Sequence, residues 1–147
     1  MISKRKPGLD DNSIIQLIKD ELLPLARRRF PNTLFNKDEL MQRLSIGMTY
    51  VWRNRIGHIV GFIHILTQDR ILWVDMIAVK HQQKGKGIGR KLVQHALLYG
   101  KATRMDDISL YVDKSNNKAI KFYKALGFRS IQYHPNIHCY EFSKKLS

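Results

Sequence analysis

Val79-Lys80-His81-Gln82-Gln83-Lys84-Gly85-Lys86-Gly87-Ile88-Gly89-Arg90-Lys91-Leu92 is the stretch from which the rest of the chain is read. It begins where a nearly continuous apolar run, Ile71 to Val79, stops. It ends inside a segment whose apolar residues Ile88, Leu92, Val93, Ala96 and Leu97 recur at helical spacing. A buried strand therefore feeds a loop with glycine at every second position, and the loop opens an amphipathic helix. Glycine lets a backbone come close to a ligand, and the first turn of a helix leaves amide donors unpaired, so such a loop can hold an anion. Lys84, Lys86, Arg90 and Lys91 add positive charge. On these residues alone, a basic turn with convenient glycines is an equal reading. Two familiar phosphate loops are excluded: no GxxxxGK[ST] occurs, and the dinucleotide fingerprint would need glycine at Arg90.

Working outward, the apolar run Ile71–Val79 predicts a strand buried on both faces. Upstream of it, Met48 to Trp52 and His58 to Leu66 read as two strands joined by a turn over residues 53–57. Earlier still, Ile14, Leu17, Ile18, Leu22 and Leu25 predict a helix, kinked or broken at Pro24. The stretch Gly8 to Ser13 before it carries turn and N-cap chemistry, with side-chain oxygens for the free helix amides. A shorter helix is predicted over Lys37 to Leu44, capped by Asn36, and residues 2–6 suggest a short first strand. Downstream, Ile108 to Val112 reads as a strand and residues 117–126 as a helix stopped by Gly127. Phe128 to Tyr133 and His138 to Phe142 read as closing strands. The passage from Trp73 to Val112 is a strand–helix–strand unit, so its two strands are expected to be parallel.

The second informative segment is Asn116-Asn117-Lys118-Ala119-Ile120-Lys121-Phe122-Tyr123-Lys124-Ala125-Leu126-Gly127-Phe128. Taken alone, Tyr123 reads as a core aromatic with its hydroxyl at the rim. Together, however, the Lys84-x-x-Gly87-x-Gly89 loop and the Asn116-x-x-Ala119-Ile120-x-Phe122-Tyr123-x-x-Leu126-Gly127-Phe128 segment closely resemble the GNAT superfamily of acyl-CoA-dependent N-acyltransferases. The likeness is strongest from Ile71 to Phe128 and extends more loosely over the whole chain. It implies a single α/β (α+β) domain over residues 1–147, with a mixed, mostly antiparallel central sheet flanked by helices. It also implies acetyl-CoA as cosubstrate and N-acetyl transfer to a primary amine.

Carried over residue by residue, the resemblance implies that the loop Lys84, Gly85, Lys86, Gly87, Ile88, Gly89 and Arg90 cradles the coenzyme A pyrophosphate. Ile77, Ala78 and Val79 match the strand whose backbone pairs with the pantetheine arm. Asn116 matches the asparagine beside the cofactor, and Tyr123 the tyrosine that protonates the departing thiolate. One position departs from the family pattern: the first loop residue, usually Arg or Gln, is Lys84, a compact point charge without a planar fork. Some relatives carry a glutamate where this chain has Tyr111, which is no base at neutral pH.

Acetyl transfer needs a neutral amine, whereas a lysine-like amine has a pKa of about 10.4, so its proton must go somewhere. Asp75, the one carboxylate inside the Trp73–Val79 strand, is the sequence's candidate, with pairing to a nearby Lys or Arg as the equal alternative; catalysis by positioning and water, with no single essential base, is a further reading. His58 and His64, six apart, are expected on one strand face, with one of them bordering the acceptor cleft as one reading and a surface position as the commoner outcome. His134, His138 and Cys139 lack the spacing of a zinc site, so no metal is expected, and Cys139 reads as a small buried hydrophobe.

Composition bounds the alternatives. A chain of 147 residues with 44% apolar and 26% charged residues is long and apolar enough for one core, and no apolar run reaches the ~18 residues of a membrane span. A single cysteine excludes a disulfide framework and suits a reducing, cytoplasmic setting. The 26 Lys and Arg against 12 Asp and Glu leave a net charge of +14, a field that favours anions. That charge keeps a nucleic-acid- or ribosome-binding module open as a second reading, though the bases are scattered and no RNA-binding signature appears. A non-catalytic acyl-CoA-binding regulator is a third. For an enzyme, the same field favours a neutral or anionic acceptor over a polycation. The acceptor's identity and the choice between monomer and homodimer are not written in the sequence.

Overall fold

A computed structural model describes residues 1–146. Seven strands, β1 (Ile2–Lys4), β2 (Met48–Arg53), β3 (Ile59–Gln68), β4 (Ile71–Val79), β5 (Asp107–Asp113), β6 (Arg129–His134) and β7 (Cys139–Lys145), form one mixed sheet in the order β1-β2-β3-β4-β5-β7-β6. The helices are α1 (Asp11–Leu17), α2 (Leu23–Arg29), α3 (Lys37–Leu44), α4 (Ile88–Ala102) and α5 (Asn117–Ala125). Residues cluster into two compact units that share β4. One comprises Met1–Leu66 and Asp75–His95; the other, Thr67–Val74 and Ala96 onward.

In the first unit, β1 pairs antiparallel with β2, and β2 with β3. Helices α1 and α3 lay Ile14, Leu17, Leu40 and Leu44 against Val51, Phe62, Met76 and Ala78, which makes the core of this unit. Helix α3 begins and ends where the cap and period put it. Asn36 accepts a hydrogen bond from the Glu39 amide at 3.0 Å, acids occupy the first turn, and Arg43 the last. The first helical region differs from expectation in two ways. Asp10 stands at the N-cap position but does not cap; its carboxylate accepts from the Lys6 amide and from Arg53, each at 2.7 Å, which ties β1 and β2 to α1. Ahead of Pro24 the chain widens into a π turn over Ile18–Leu22, with the Leu23 amide bonded to the Ile18 carbonyl. A proline ring crowds the carbonyl four residues back, and the wider turn accommodates it.

Gly61 on β3 brings α4 close to the sheet. A Cβ there would lie 3.2 Å from the Ala78 carbonyl oxygen and 3.3 Å from Ile88, the first residue of α4. This close approach fixes where α4 starts, and with it the glycine loop.

In the second unit, β4 and β5 are parallel, as the strand–helix–strand reading required, with register from Ile71↔Asp107 to Trp73↔Ser109. Strand β7 runs antiparallel to both β5 and β6 and lies between them. Helix α5 stops at Gly127, which has φ +94°, and the Lys144 ammonium donates to the carbonyl of Leu126 at 2.7 Å. One expectation for β4 is corrected. Its residues alternate between buried (Leu72, Val74, Met76, Ala78) and half-buried (Trp73, Asp75, Ile77, Val79), so one face is sealed and the other partly open. The apolar composition hid a face with two polar-capable members, Trp73 and Asp75.

Candidate active site

Strand β4 leaves the sheet at Val79, and the Lys80 amide donates to the Val60 carbonyl at 2.8 Å before one 3₁₀ turn, His81–Gln83, leads into the loop. Gly85 and Gly87 have φ of +83° and +81°, and nothing lies within 4 Å of where a Cβ would stand on either. An L side chain is strained in this region of φ, and the backbone here is left bare and open. Ile88 is buried under the loop while Lys86 and Arg90 are exposed. An open, basic backbone at the start of a fifteen-residue helix fits a phosphate-bearing chain.

Two side chains of the loop are already engaged. The Lys84 ammonium lies 3.0 Å from Glu21, and the other Glu21 oxygen accepts from the His81 amide at 3.2 Å. Glu21, carried by the π turn, therefore braces the entry to the loop, at His81 and at Lys84. Lys86 donates to Gln83 at 3.2 Å. The Glu21 contact had no local signal, because sixty residues separate it from His81.

On the half-open face of β4, Asp75 is gripped by Arg43 of α3, with Nε at 3.0 Å and one terminal nitrogen at 2.9 Å from its two oxygens. The sequence left Asp75 as either base or ion-pair partner, and the structure shows the pair. Beside it, His64 of β3 is fully buried, correcting the surface position expected for it; His58 precedes β3 and is exposed. His64 Nδ1 meets the Thr49 hydroxyl at 2.7 Å, while Nε2 is buried without a hydrogen-bond partner, 3.9 Å from Asp75. Burial pushes the His64 imidazole below its ordinary pKa, against weaker upward pulls from the Asp75 charge and the carbonyls of Ile46 and Arg43.

In the second unit, β5 hands over to α5 at Asn116. Its side-chain oxygen accepts from the Ala119 amide at 3.1 Å, so Asn116 caps α5 through that oxygen. Tyr123, one helical face further on, is buried against Phe128, ring centres 5.5 Å apart. Burial drives its phenol well above the usual tyrosine range, so the hydroxyl keeps its proton at any working pH.

A further group, which the sequence reading did not assemble, lies across β5, β7 and β6. Tyr111 is 48% exposed and stacks on Trp73 with ring centres 5.3 Å apart. Directly opposite Tyr111 in the β5–β7 register stands Glu141, which bonds His134 Nε2 at 2.9 Å; the His134 ring meets Tyr111 edge-on at 5.3 Å. Burial and the Glu141 charge raise the Tyr111 phenol, keeping it a donor. Only the order β5-β7-β6 brings these residues together, and periodicity carries no information about strand order. Cys139 is buried. Among the described residues no cluster of three or more His, Cys, Asp or Glu is placed to hold a metal, and no helix is long and apolar enough to cross a membrane.

Residues 14–128 match the acetyltransferase (GNAT) family. Mycothiol acetyltransferase of Thermobispora bispora is 32% identical over 81 residues, covering 50% of this chain and 28% of that protein. N-alpha-acetyltransferase 40 of Saccharomyces cerevisiae is 29% identical over 147 aligned residues, covering 80% of this chain and 50% of that protein. The chain thus spans half or less of the length of these relatives. Among solved structures, a Streptococcus mutans UA159 protein superposes with a TM-score of 0.83 at 25% identity, covering 100% of this chain and 99% of that one.

Proposed function

Because this chain belongs to the acetyltransferase (GNAT) family, we propose that it moves an acetyl group from acetyl-CoA directly to a primary amine of a small molecule or peptide. The observation that carries this reading is the loop: bare, open glycines at positive φ, opening a helix and surrounded by cations. The backbone of Lys84, Gly85, Lys86, Gly87, Ile88, Gly89 and Arg90 would hold the pyrophosphate. Lys84 would contribute least, since its amide donates to the His81 carbonyl at 3.2 Å and its ammonium is turned to Glu21. The backbone of Ile77, Ala78 and Val79 would align the pantetheine arm, and the Asn116 NH₂ would add a donor. When bound, acetyl-CoA supplies a thioester whose carbonyl carbon takes the amine nitrogen as the carbon–sulfur bond breaks.

Tyr123 would serve the departing sulfur. A phenol with a raised pKa gives up its proton reluctantly to a thiolate of ordinary pKa about 8.5. Its contribution is therefore a hydrogen bond to the developing charge; the phenol keeps its own proton, and the proton that the nitrogen sheds as the amide forms balances the thiolate. Asp75, two residues before Ile77 on the same half-open face, would orient the acceptor ammonium by exchanging part of its Arg43 contact. The +14 field favours neutral or anionic acceptors over polycations such as aminoglycosides or lysine-rich tails. A cytoplasmic site of action suits the single buried cysteine.

The test is turnover of acetyl-CoA against glycine amide, a neutral tetrapeptide with a free N-terminus, an acidic peptide and spermidine, at low and moderate ionic strength. Amine-dependent thiol release, faster for the neutral or acidic acceptors, is the expected result. Faster reaction of spermidine at both ionic strengths would overturn the charge argument, and no amine-dependent release would overturn the activity.

A further inference from the structure

An amine acceptor arrives as an ammonium, and the carboxylate on β4 has both oxygens on Arg43. We propose that His134, oriented by Glu141, is the catalytic base that takes the proton from the acceptor ammonium; this rests on the acetyl-transfer reading above.

Three features of the second unit carry the assignment. The first is orientation. An ionised carboxylate only accepts, so the 2.9 Å contact between Glu141 and His134 Nε2 places the ring proton on Nε2 and leaves the basic lone pair on Nδ1. The second is access. The His134 and Glu141 side chains are 25% and 16% exposed, enough to meet a substrate and still be held by their neighbours. The third is placement. His134 pairs with Cys139, and Cys139 with Asp113, so the dyad stands at the carboxyl end of β5, from which Asn116 and α5 depart. Tyr111, half exposed and stacked on Trp73, stands beside it, and an aromatic ring with an open side attracts an ammonium. The groups nearest His134 are Glu141 and Cys139 on β7, Tyr111 on β5 and Tyr133 on its own strand, with Asp113 one strand further on, beyond Cys139. Tyr111, with its raised pKa, is a donor and not a rival base.

The proton step balances simply. One proton passes from R–NH₃⁺ to the His134 Nδ1 lone pair, giving R–NH₂ and an imidazolium, and the imidazolium returns that proton to water before the next turnover. An imidazole is suited to this, because its ordinary pKa of about 6.5 lies near working pH while that of a carboxylate does not.

His134→Gln is expected to lower kcat/KM for glycine amide or the neutral tetrapeptide by roughly 10²–10⁴-fold at neutral pH. The deficit should shrink as pH rises toward the amine's own pKa, and acetyl-CoA binding by calorimetry should stay unchanged. Glu141→Gln should lose less, with the same pH trend. Independently of any acceptor, diethyl pyrocarbonate should acylate His134 in the free protein, as mapped by peptide mass spectrometry. The inference is overturned if His134 resists acylation while the exposed His58 reacts, or if the His134→Gln deficit is constant across pH. It is equally overturned if Asp75→Asn, and not His134→Gln, carries the pH-dependent deficit. Failure of the unsubstituted protein to turn over any amine would remove the acetyl-transfer reading and this inference with it. Turnover retained at full rate by His134→Gln would remove this inference alone.

Discussion

His64 and His134 each face one carboxylate, His64 at 3.9 Å from Asp75 and His134 at 2.9 Å from Glu141. The chemical ingredients are the same, and the surroundings separate them. His64 is wholly buried, its Nδ1 is spent on Thr49, and its carboxylate belongs to Arg43. His134 lies on an edge strand, its carboxylate is aimed at one ring nitrogen, and an exposed aromatic stands beside it. A histidine without access or a committed partner can only hold structure, whereas one with both can move protons. Access and the carboxylate's other obligations decide the role, not the residue pair.

The largest effect expected from a single substitution silences the second cluster without touching either. Gly87→Asp puts a side chain and a negative charge into the open loop at positive φ. It should abolish the rise in melting temperature with acetyl-CoA, which for the parent protein corresponds to about 2.7 kcal/mol at a hundredfold excess over Kd. A Gly87→Asp protein that still binds in calorimetry would show that the loop is not the phosphate site.

Next comes the contrast in stability. His64→Ala removes a fully buried ring and strands Thr49, and should cost about 2–4 kcal/mol in denaturant unfolding. His134→Ala, which gives up a part-buried ring and its bond to Glu141 but opens no sealed core, should cost about 1 kcal/mol. Equal costs would collapse the distinction between the two histidines.

Tyr123→Phe should lower kcat by about 10²-fold with little change in acetyl-CoA affinity, because only the hydrogen bond to sulfur is lost. Full turnover would make Tyr123 a packing residue alone.

The smallest effect is a pH dependence of stability. With its native pKa depressed by burial, His64 binds fewer protons folded than unfolded at pH values between the native pKa and about 6.5. Stability therefore rises with pH through this window and is lost on acidification below about 6.5, by about 1.4 kcal/mol for each unit of depression. His64→Gln should flatten that slope. Asp11, whose carboxyl Arg5 holds below the usual range, acts only in more acidic solution, so the two do not overlap. An unaltered slope in His64→Gln would place the titrating group elsewhere.

What could be read from the sequence was whatever is local. The bounds of α3 follow from Asn36 and the Leu40–Leu44 spacing, the stop of α5 from Gly127, and the parallel pairing of β4 with β5 from the helix between them. The open loop at Gly85 and Gly87 was equally legible, because positive φ is written in glycine. Contacts that join distant segments were not. Nothing local singles out Arg43 in the last turn of α3, which the fold lays on Asp75, thirty-two residues away. Glu21 was one of four early acids with nothing to single it out. Glu141 and His134 meet Tyr111 only because β7 enters the sheet between β5 and β6, and hydrophobic period is silent about which strand pairs with which.

The most direct test of the central claim is to follow acetyl-CoA carrying an isotopically labelled acetyl group through one turnover with a neutral primary amine, reading both the intact protein and the small-molecule products by mass spectrometry. Direct transfer predicts the label in the amide product, free coenzyme A in equal amount, and no labelled protein at any time, in keeping with a buried Cys139. Label accumulating on the protein before it reaches the amine, or thiol released without any amide, would contradict the account.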